Sequence, residues 1–149
     1  MSSSDLTIYW NEETLKHRPP DGAFSYPHTS IIAEAEKHPD CRERIENIKQ
    51  MVEVAFGEKA GFEIVDPAPR STIERVHDSE YIEWLEEFFS EGTRRIEDTP
   101  TGGNEHTFRA ARYAANVAIC AARGALAGDG VHYALCRPSG HHAQSDRAD

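Results

Sequence analysis

The chain has 149 residues, of which 38% are hydrophobic and 28% charged, and a formal net charge of −10 at pH 7. That length suffices for one domain with a core of its own, and the acidic balance excludes a general nucleic-acid binder, which would show a basic face. No apolar run is long enough to cross a bilayer, and the start, Met1-Ser2-Ser3-Ser4-Asp5, lacks the basic-then-apolar order of a secretory signal. Cys41, Cys120 and Cys136 are odd in number and widely spaced, with no CxxC pair. That fits reduced thiols in a cytoplasm and neither a disulfide framework nor a structural zinc site. The expectation is a cytoplasmic protein with no membrane or nucleic-acid partner, and with homo-oligomerisation left open.

Leu6–Trp10 is short, β-branched and aromatic and reads as a first strand. Residues 11–37 contain Pro19, Pro20, Gly22 and Pro27 and read mostly as loop. His17 and His28 within it read as surface or hydrogen-bonding residues and not as ligands. Pro39 and Asp40 are good helix starters. Ile45, Ile48, Met51/Val52 and Ala55 then recur at helical spacing up to a stop at Gly57. Phe62–Val65 predicts a second strand. Ser71 and Glu74 have the spacing of a capping box, and Asp78 that of an N-cap for a helix with Ile82, Leu85, Phe88 and Phe89 on its apolar face and Trp84 beside them. His77 and Tyr81, one turn apart, are placed to pin that helix start.

Residues 90–104 are polar and read as an exposed loop. Thr107–Ala127 is alanine-rich, predicts a long, closely packed crossover helix, and ends at Gly128 and Gly130. It delivers the chain to a third strand, Val131–Cys136. Strands alternating with helices imply parallel pairing with right-handed crossovers.

Arg137-Pro138-Ser139-Gly140 breaks the third strand, and His141 and His142 follow at once. Loops at the carboxyl ends of parallel strands carry the chemistry of α/β proteins, and two imidazoles held there can exchange protons near neutral pH. The alternative is that one or both only satisfy local hydrogen bonds.

This stretch, Arg137-Pro138-Ser139-Gly140-His141-His142-Ala143, resembles the Arg-Pro-Pro-Gly-His-His strand end of the histone deacetylase and acetylpolyamine amidohydrolase superfamily. Ser139 replaces the more usual second proline. His38-Pro39-Asp40-Cys41-Arg42-Glu43-Arg44-Ile45 resembles that superfamily's His-Pro-Glu-x-Pro-Glu-Arg-Ile signature. The resemblance implies an α/β fold, a three-layer parallel sheet with flanking helices, with the first strand between the other two. Residues 1–149 would form an incomplete N-terminal portion of the arginase-deacetylase fold, in a single domain.

The function implied is that of a zinc-dependent deacylase acting on an acetylated amine, such as acetyl-lysine or an acetylpolyamine. His142 would serve as general base and acid, with His141 bonding the same water and contributing electrostatically. Each such histidine is normally oriented by a carboxylate, here expected beyond Asp149. Gly140 would border the substrate. Asp98 would hold the substrate backbone or amine, with Glu97 and Glu105 as neighbouring acids and a merely solvated carboxylate as the alternative. Arg137 and Arg44 would be structural residues near the site, although a solvated Arg44 on a glutamate-rich helix is an equal alternative. No Asp-x-His pair and no His-Glu-x-x-His helix occurs, so the chain supplies no metal ligand, and the zinc ligands are expected downstream of Asp149. The isolated chain is therefore expected to be inactive, and marginally stable or prone to aggregate at its open strand edge. A free-standing, non-catalytic α/β binding or scaffold module is the second hypothesis.

Overall fold

The computed structural model describes residues 6–22, 36–96, 99–128 and 130–148. Three strands, β1 (Leu6–Trp10), β2 (Ala60–Ile64) and β5 (Val131–Ala134), form a parallel sheet in the order β2-β1-β5. The first strand thus lies centrally, as expected, with Leu6 opposite both Ala60 and Val131. β2 starts two residues before the predicted Phe62 and ends before Val65, and β5 ends before Leu135. Hydrogen bonding nevertheless continues past both strand ends: Val65 donates to the Trp10 carbonyl at 3.3 Å and Leu135 to the Tyr9 carbonyl at 3.0 Å.

Alternation along β1 feeds two layers. Leu6, Ile8 and Trp10 face α1 (Arg42–Phe56), where Ile8 packs with Ile45, Val52 and Leu135 in the core. The spacing of Ile45, Ile48 and Val52 puts one stripe of α1 on the sheet, and Arg42–Glu46 and Lys49–Glu53 pairs lace its solvent side. On the opposite face lies α4 (Thr107–Ala127), buried through Ala110, Tyr113, Ala114, Val117 and Ala121. Its small side chains allow close approach: a Cβ at Gly124 would collide with the His132 ring of β5, and that ring stacks on Tyr9. Gly128 ends α4 in the left-handed region at φ 82°, which costs a glycine little. No described helix is long and apolar enough to cross a membrane.

The connecting segments depart from the sequence reading in three places. Helix α1 begins at Arg42 with Cys41 in the cap position; Asp40 does not cap it because its carboxylate is engaged elsewhere, as described below. In α2 (Arg70–Ile73) the cap position belongs to Pro69, so Ser71 is already inside the helix. Glu74 bonds Arg70 at 2.8 Å instead of closing a capping box. In α3 (Ser79–Ser90), Asp78 holds the cap position as predicted, although its side chain makes no cap bond.

The start of α3 is tied instead to the end of the chain. The His77 Nδ1–H donates to the Gln144 carbonyl at 2.7 Å, and the Asp78 N–H to the Ser145 carbonyl at 2.8 Å. His77 also lies against Tyr81, ring centroids 5.9 Å apart, as its one-turn spacing implied. The polar stretch after α3, read as plain loop, contains a two-residue antiparallel ribbon of β3 (Arg94–Arg95) and β4 (Gly102–Gly103).

Candidate active site

The loop after β5 is anchored by Arg137, whose side chain is only 3% exposed. Its Nε donates to Asp40 Oδ1 at 2.8 Å and one terminal nitrogen to the Asp40 carbonyl at 2.6 Å. The other terminal nitrogen donates to the carbonyls of Thr14 at 3.2 Å and His17 at 2.6 Å. A planar guanidinium with five donors suits this task, and a lysine does not. Arg137 therefore holds three separate segments together: the strap before α1, the 3₁₀ turn Glu12–Lys16 with its exit, and its own loop.

Asp40 is the centre of this cluster. Its second oxygen accepts the Ser139 N–H at 3.1 Å and faces His17 Nε2 at 3.6 Å. Burial pushes the Asp40 carboxyl up, but the hydrogen bond and charge of Arg137, helped by the Ser139 N–H, outweigh it and hold the group below its usual range. Asp40 thus stays an anion. His17 is buried, and its Nδ1 meets Thr107 Oγ1 at 2.8 Å. Burial lowers its pKa to about 4, opposed by Asp40 and assisted by Arg137 and His38, so the ring is neutral at neutral pH.

Thr107 links this cluster to the start of α4. Its hydroxyl accepts the Asn104 N–H at 2.8 Å, and Asn104 reaches back to the Lys16 carbonyl at 3.1 Å. His17 is thus a hydrogen-bonding residue as expected, but a buried one and not a surface one. His17, Asp40, Thr107 and Ser139 were not singled out for the site. Their partners lie far away in sequence, so no local signal marked them.

His141 and His142 sit beyond this anchor, both exposed. Their rings are tilted, with centroids 4.0 Å apart, and Ser139 Oγ lies 2.6 Å from His141 Nδ1. Both rings stand open to a ligand. Gly140 is exposed beside them, with open space where a Cβ would be. Arg137 is structural and adjacent. Arg44 is not brought to this cluster: it is exposed on α1 and donates to the Pro39 carbonyl at 2.9 Å. Its spacing directs it outward because Ile45 and Ile48 take the buried stripe. Asp98 and Glu97 lie outside the described residues, as does His28, and Glu105 is exposed, 3.6 Å from His106.

Among the described residues, no group of three or more His, Cys, Asp or Glu is placed to hold a metal ion. Burial pushes the Cys136 thiol up, with Asp40 adding to the effect, which keeps it protonated and a poor nucleophile. All three cysteines are free. A hollow of about 410 Å³ lies at the start of α3, lined by Asp78, Tyr81, Trp84, Asp146 and Arg147 among others, and it includes neither histidine of the pair.

Residues 38–149, well over half of the chain, match the histone deacetylase domain. The chain is 30% identical over 152 residues to "Histone deacetylase 8" of Arabidopsis thaliana, covering 100% of this chain and 40% of that protein. It is 29% identical over 164 residues to "Acetylpolyamine amidohydrolase" of Burkholderia pseudomallei (strain 1710b), covering 87% of this chain and 46% of that protein. The crystal structure of the HDA15 HD domain superposes with a TM-score of 0.77 at 23% identity, over 98% of this chain and 39% of that one. The chain therefore spans less than half the length of these relatives, and the three-layer sheet is part of the arginase-deacetylase fold.

Proposed function

Because the chain belongs to the histone deacetylase domain family, we propose that it carries the acid–base histidines of a deacylase that hydrolyses acetylated amines, such as acetyl-lysine or an acetylpolyamine. The observation that carries this reading is the exposed His141–His142 pair, rings 4.0 Å apart, on a loop whose base is fixed in the core. The names of two relatives, a histone deacetylase and an acetylpolyamine amidohydrolase, support the substrate class.

In this reading His142 removes a proton from water as the water oxygen bonds to the acyl carbon. It returns the proton to the amine nitrogen as the C–N bond breaks, leaving acetate and the free amine. His141 bonds the same water, and Gly140 leaves space for the acyl group. Asp98 is assigned to the substrate backbone or amine. Arg137 is assigned a structural role near the site, and Arg44 a structural role one step removed, on the Pro39 carbonyl beside Asp40.

Zinc is the metal this reading calls for. The described residues supply no set of three ligands for it, and the ligands are assigned to polypeptide beyond Asp149. Residues 1–149 are read as the N-terminal portion of one catalytic domain, inactive by itself. The free thiols favour a reducing cytoplasm.

The test is His142→Ala in a protein that completes the fold, assayed with an acetyl-lysine and an acetylpolyamine substrate. We expect a loss of about 10²-fold or more in turnover, the usual scale for losing general acid–base catalysis, with an unchanged circular dichroism spectrum. Near-normal turnover by the folded variant rejects the role of His142, and a completed wild-type protein that hydrolyses neither substrate favours a non-catalytic binding module.

A further inference from the structure

His141 and His142 form the tip of a turn, across which the Ala143 N–H donates to the Gly140 carbonyl at 3.0 Å. Arg137 and Asp40 fix the entry to that turn. Its exit meets a different element. The His77 Nδ1–H donates to the Gln144 carbonyl at 2.7 Å, and the Asp78 N–H to the Ser145 carbonyl at 2.8 Å. A carbonyl oxygen only accepts, so the direction of both bonds is fixed and the proton of the first sits on His77 Nδ1.

Residues 139–147 are all exposed, so no buried side chain of their own holds their path, and backbone hydrogen bonds must do so. The donor, by contrast, is well held. The His77 N–H donates to the Ile73 carbonyl at 3.1 Å, its ring lies 5.9 Å from that of Tyr81, and α3 is seated through the buried Ile82 and Phe89.

We propose that His77 is a positioning residue for the His141–His142 turn: from the start of α3 it clamps the exit of the turn, as Arg137 clamps its entry. The inference rests on reading the histidines as the acid–base pair. A segment tethered at one end keeps much of its conformational freedom, and a second tether removes part of it. His77 acts through the Gln144 carbonyl, on the backbone from which both imidazoles project. It leaves to other groups the orientation of each ring about its own side-chain bonds.

The test compares wild type, His77→Phe and His77→Asn in the protein that completes the fold. Phenylalanine keeps a ring against Tyr81 and removes the donor, while the asparagine amide offers an N–H in place of Nδ1–H. His77 is half-buried and outside the core, so both variants are expected to fold. Hydrogen exchange at the Ala143 amide, corrected for the β1 amides that report global opening, should be about twofold to tenfold faster in His77→Phe, the scale of one ordinary hydrogen bond. The kcat on an acetyl-lysine substrate should fall by a similar factor with KM within about twofold, and His77→Asn should restore both. An unchanged corrected rate at Ala143 in His77→Phe overturns the inference. So does an unchanged kcat beside faster exchange, and so does a defect that His77→Asn leaves in place. Exchange is read without turnover: a wild-type protein that hydrolyses neither substrate defeats the functional reading, while the Ala143 rate still decides whether His77 holds the turn.

Discussion

Arg137 and the His141–His142 pair lie a few residues apart and are built on opposite terms. Arg137 is buried and spends its donors on Asp40 and on the carbonyls of Thr14 and His17. The histidines are exposed and carry few protein contacts. One half of the loop is committed to structure, and the other stands open to solvent. A loop that must present two imidazoles without a strand or helix beneath them needs such an anchor, because an untethered loop surrenders its geometry to conformational entropy. Substitutions in the two halves should therefore have separable consequences.

The largest effect is expected at the anchor. Arg137→Ala leaves Asp40 as a partly buried anion without its partner and two buried carbonyls without donors. Breaking a buried pair from one side costs about 3–5 kcal/mol, which a urea unfolding curve would show as a large fall in midpoint. Arg137→Lys keeps the charge but loses the fork, and should recover only part of that loss. A midpoint within about 0.5 kcal/mol of wild type for Arg137→Ala, the range of an ordinary surface substitution, would erase the contrast.

Acidification sharpens the same comparison. The folded pKa of His17, about 4, lies below the ordinary 6.5 because burial favours the neutral ring. The unfolded chain therefore takes up this proton first. His17 contributes its full share of stability above pH 6.5 and loses it progressively as pH falls from 6.5 towards 4. At about 1.4 kcal/mol per pKa unit the loss reaches at most about 3.5 kcal/mol. Asp40, also held below its usual value, contributes above the ordinary carboxylate range, and that share is lost only at still lower pH. Stability measured against pH should fall through the first window in wild type and much less in His17→Gln. Parallel curves for the two proteins would remove His17 from the anchor.

The smallest effect on stability is expected at the exposed half. His141→Ala and His142→Ala should each shift unfolding by under about 0.5 kcal/mol, as surface substitutions do, while His142→Ala lowers turnover in the completed protein. A shift of about 2 kcal/mol or more would mean that the pair is structural.

Sequence reasoning reached the elements whose signals are local. The β1 strand and the α4 helix match their predicted bounds, Leu6–Trp10 and Thr107–Ala127, because a β-branched run and an alanine-rich helical period each announce themselves within a few residues. The order β2-β1-β5 came from the family resemblance, with parallel pairing supported by the crossover pattern. Arg137 was expected as a structural residue from the resemblance, but its partners were not legible. Asp40 and Arg137 are 97 positions apart, and an acid beside Pro39 reads as a helix starter when only its neighbours are visible. His17 looked like a loop histidine for the same reason, since Thr107 and Asp40 bury it from a distance. The Ser71–Glu74 spacing misled in the other direction: Pro69 took the cap position and Arg70 took Glu74. The placement of His141 and His142 after a strand end was legible, but the exposure of the pair and the contact between Ser139 Oγ and His141 Nδ1 emerged only with the loop in three dimensions.

The most direct test of the anchored loop is hydrogen exchange at the Ser139 amide, whose N–H donates to Asp40, in wild type and in Asp40→Ala. The account predicts that the amide is protected in wild type. In the folded variant it should exchange at least about tenfold faster, after correction for the change at the β1 amides, which report global opening. Equal corrected rates at Ser139 in the two proteins would contradict the account, because the histidine loop would then owe nothing to Asp40.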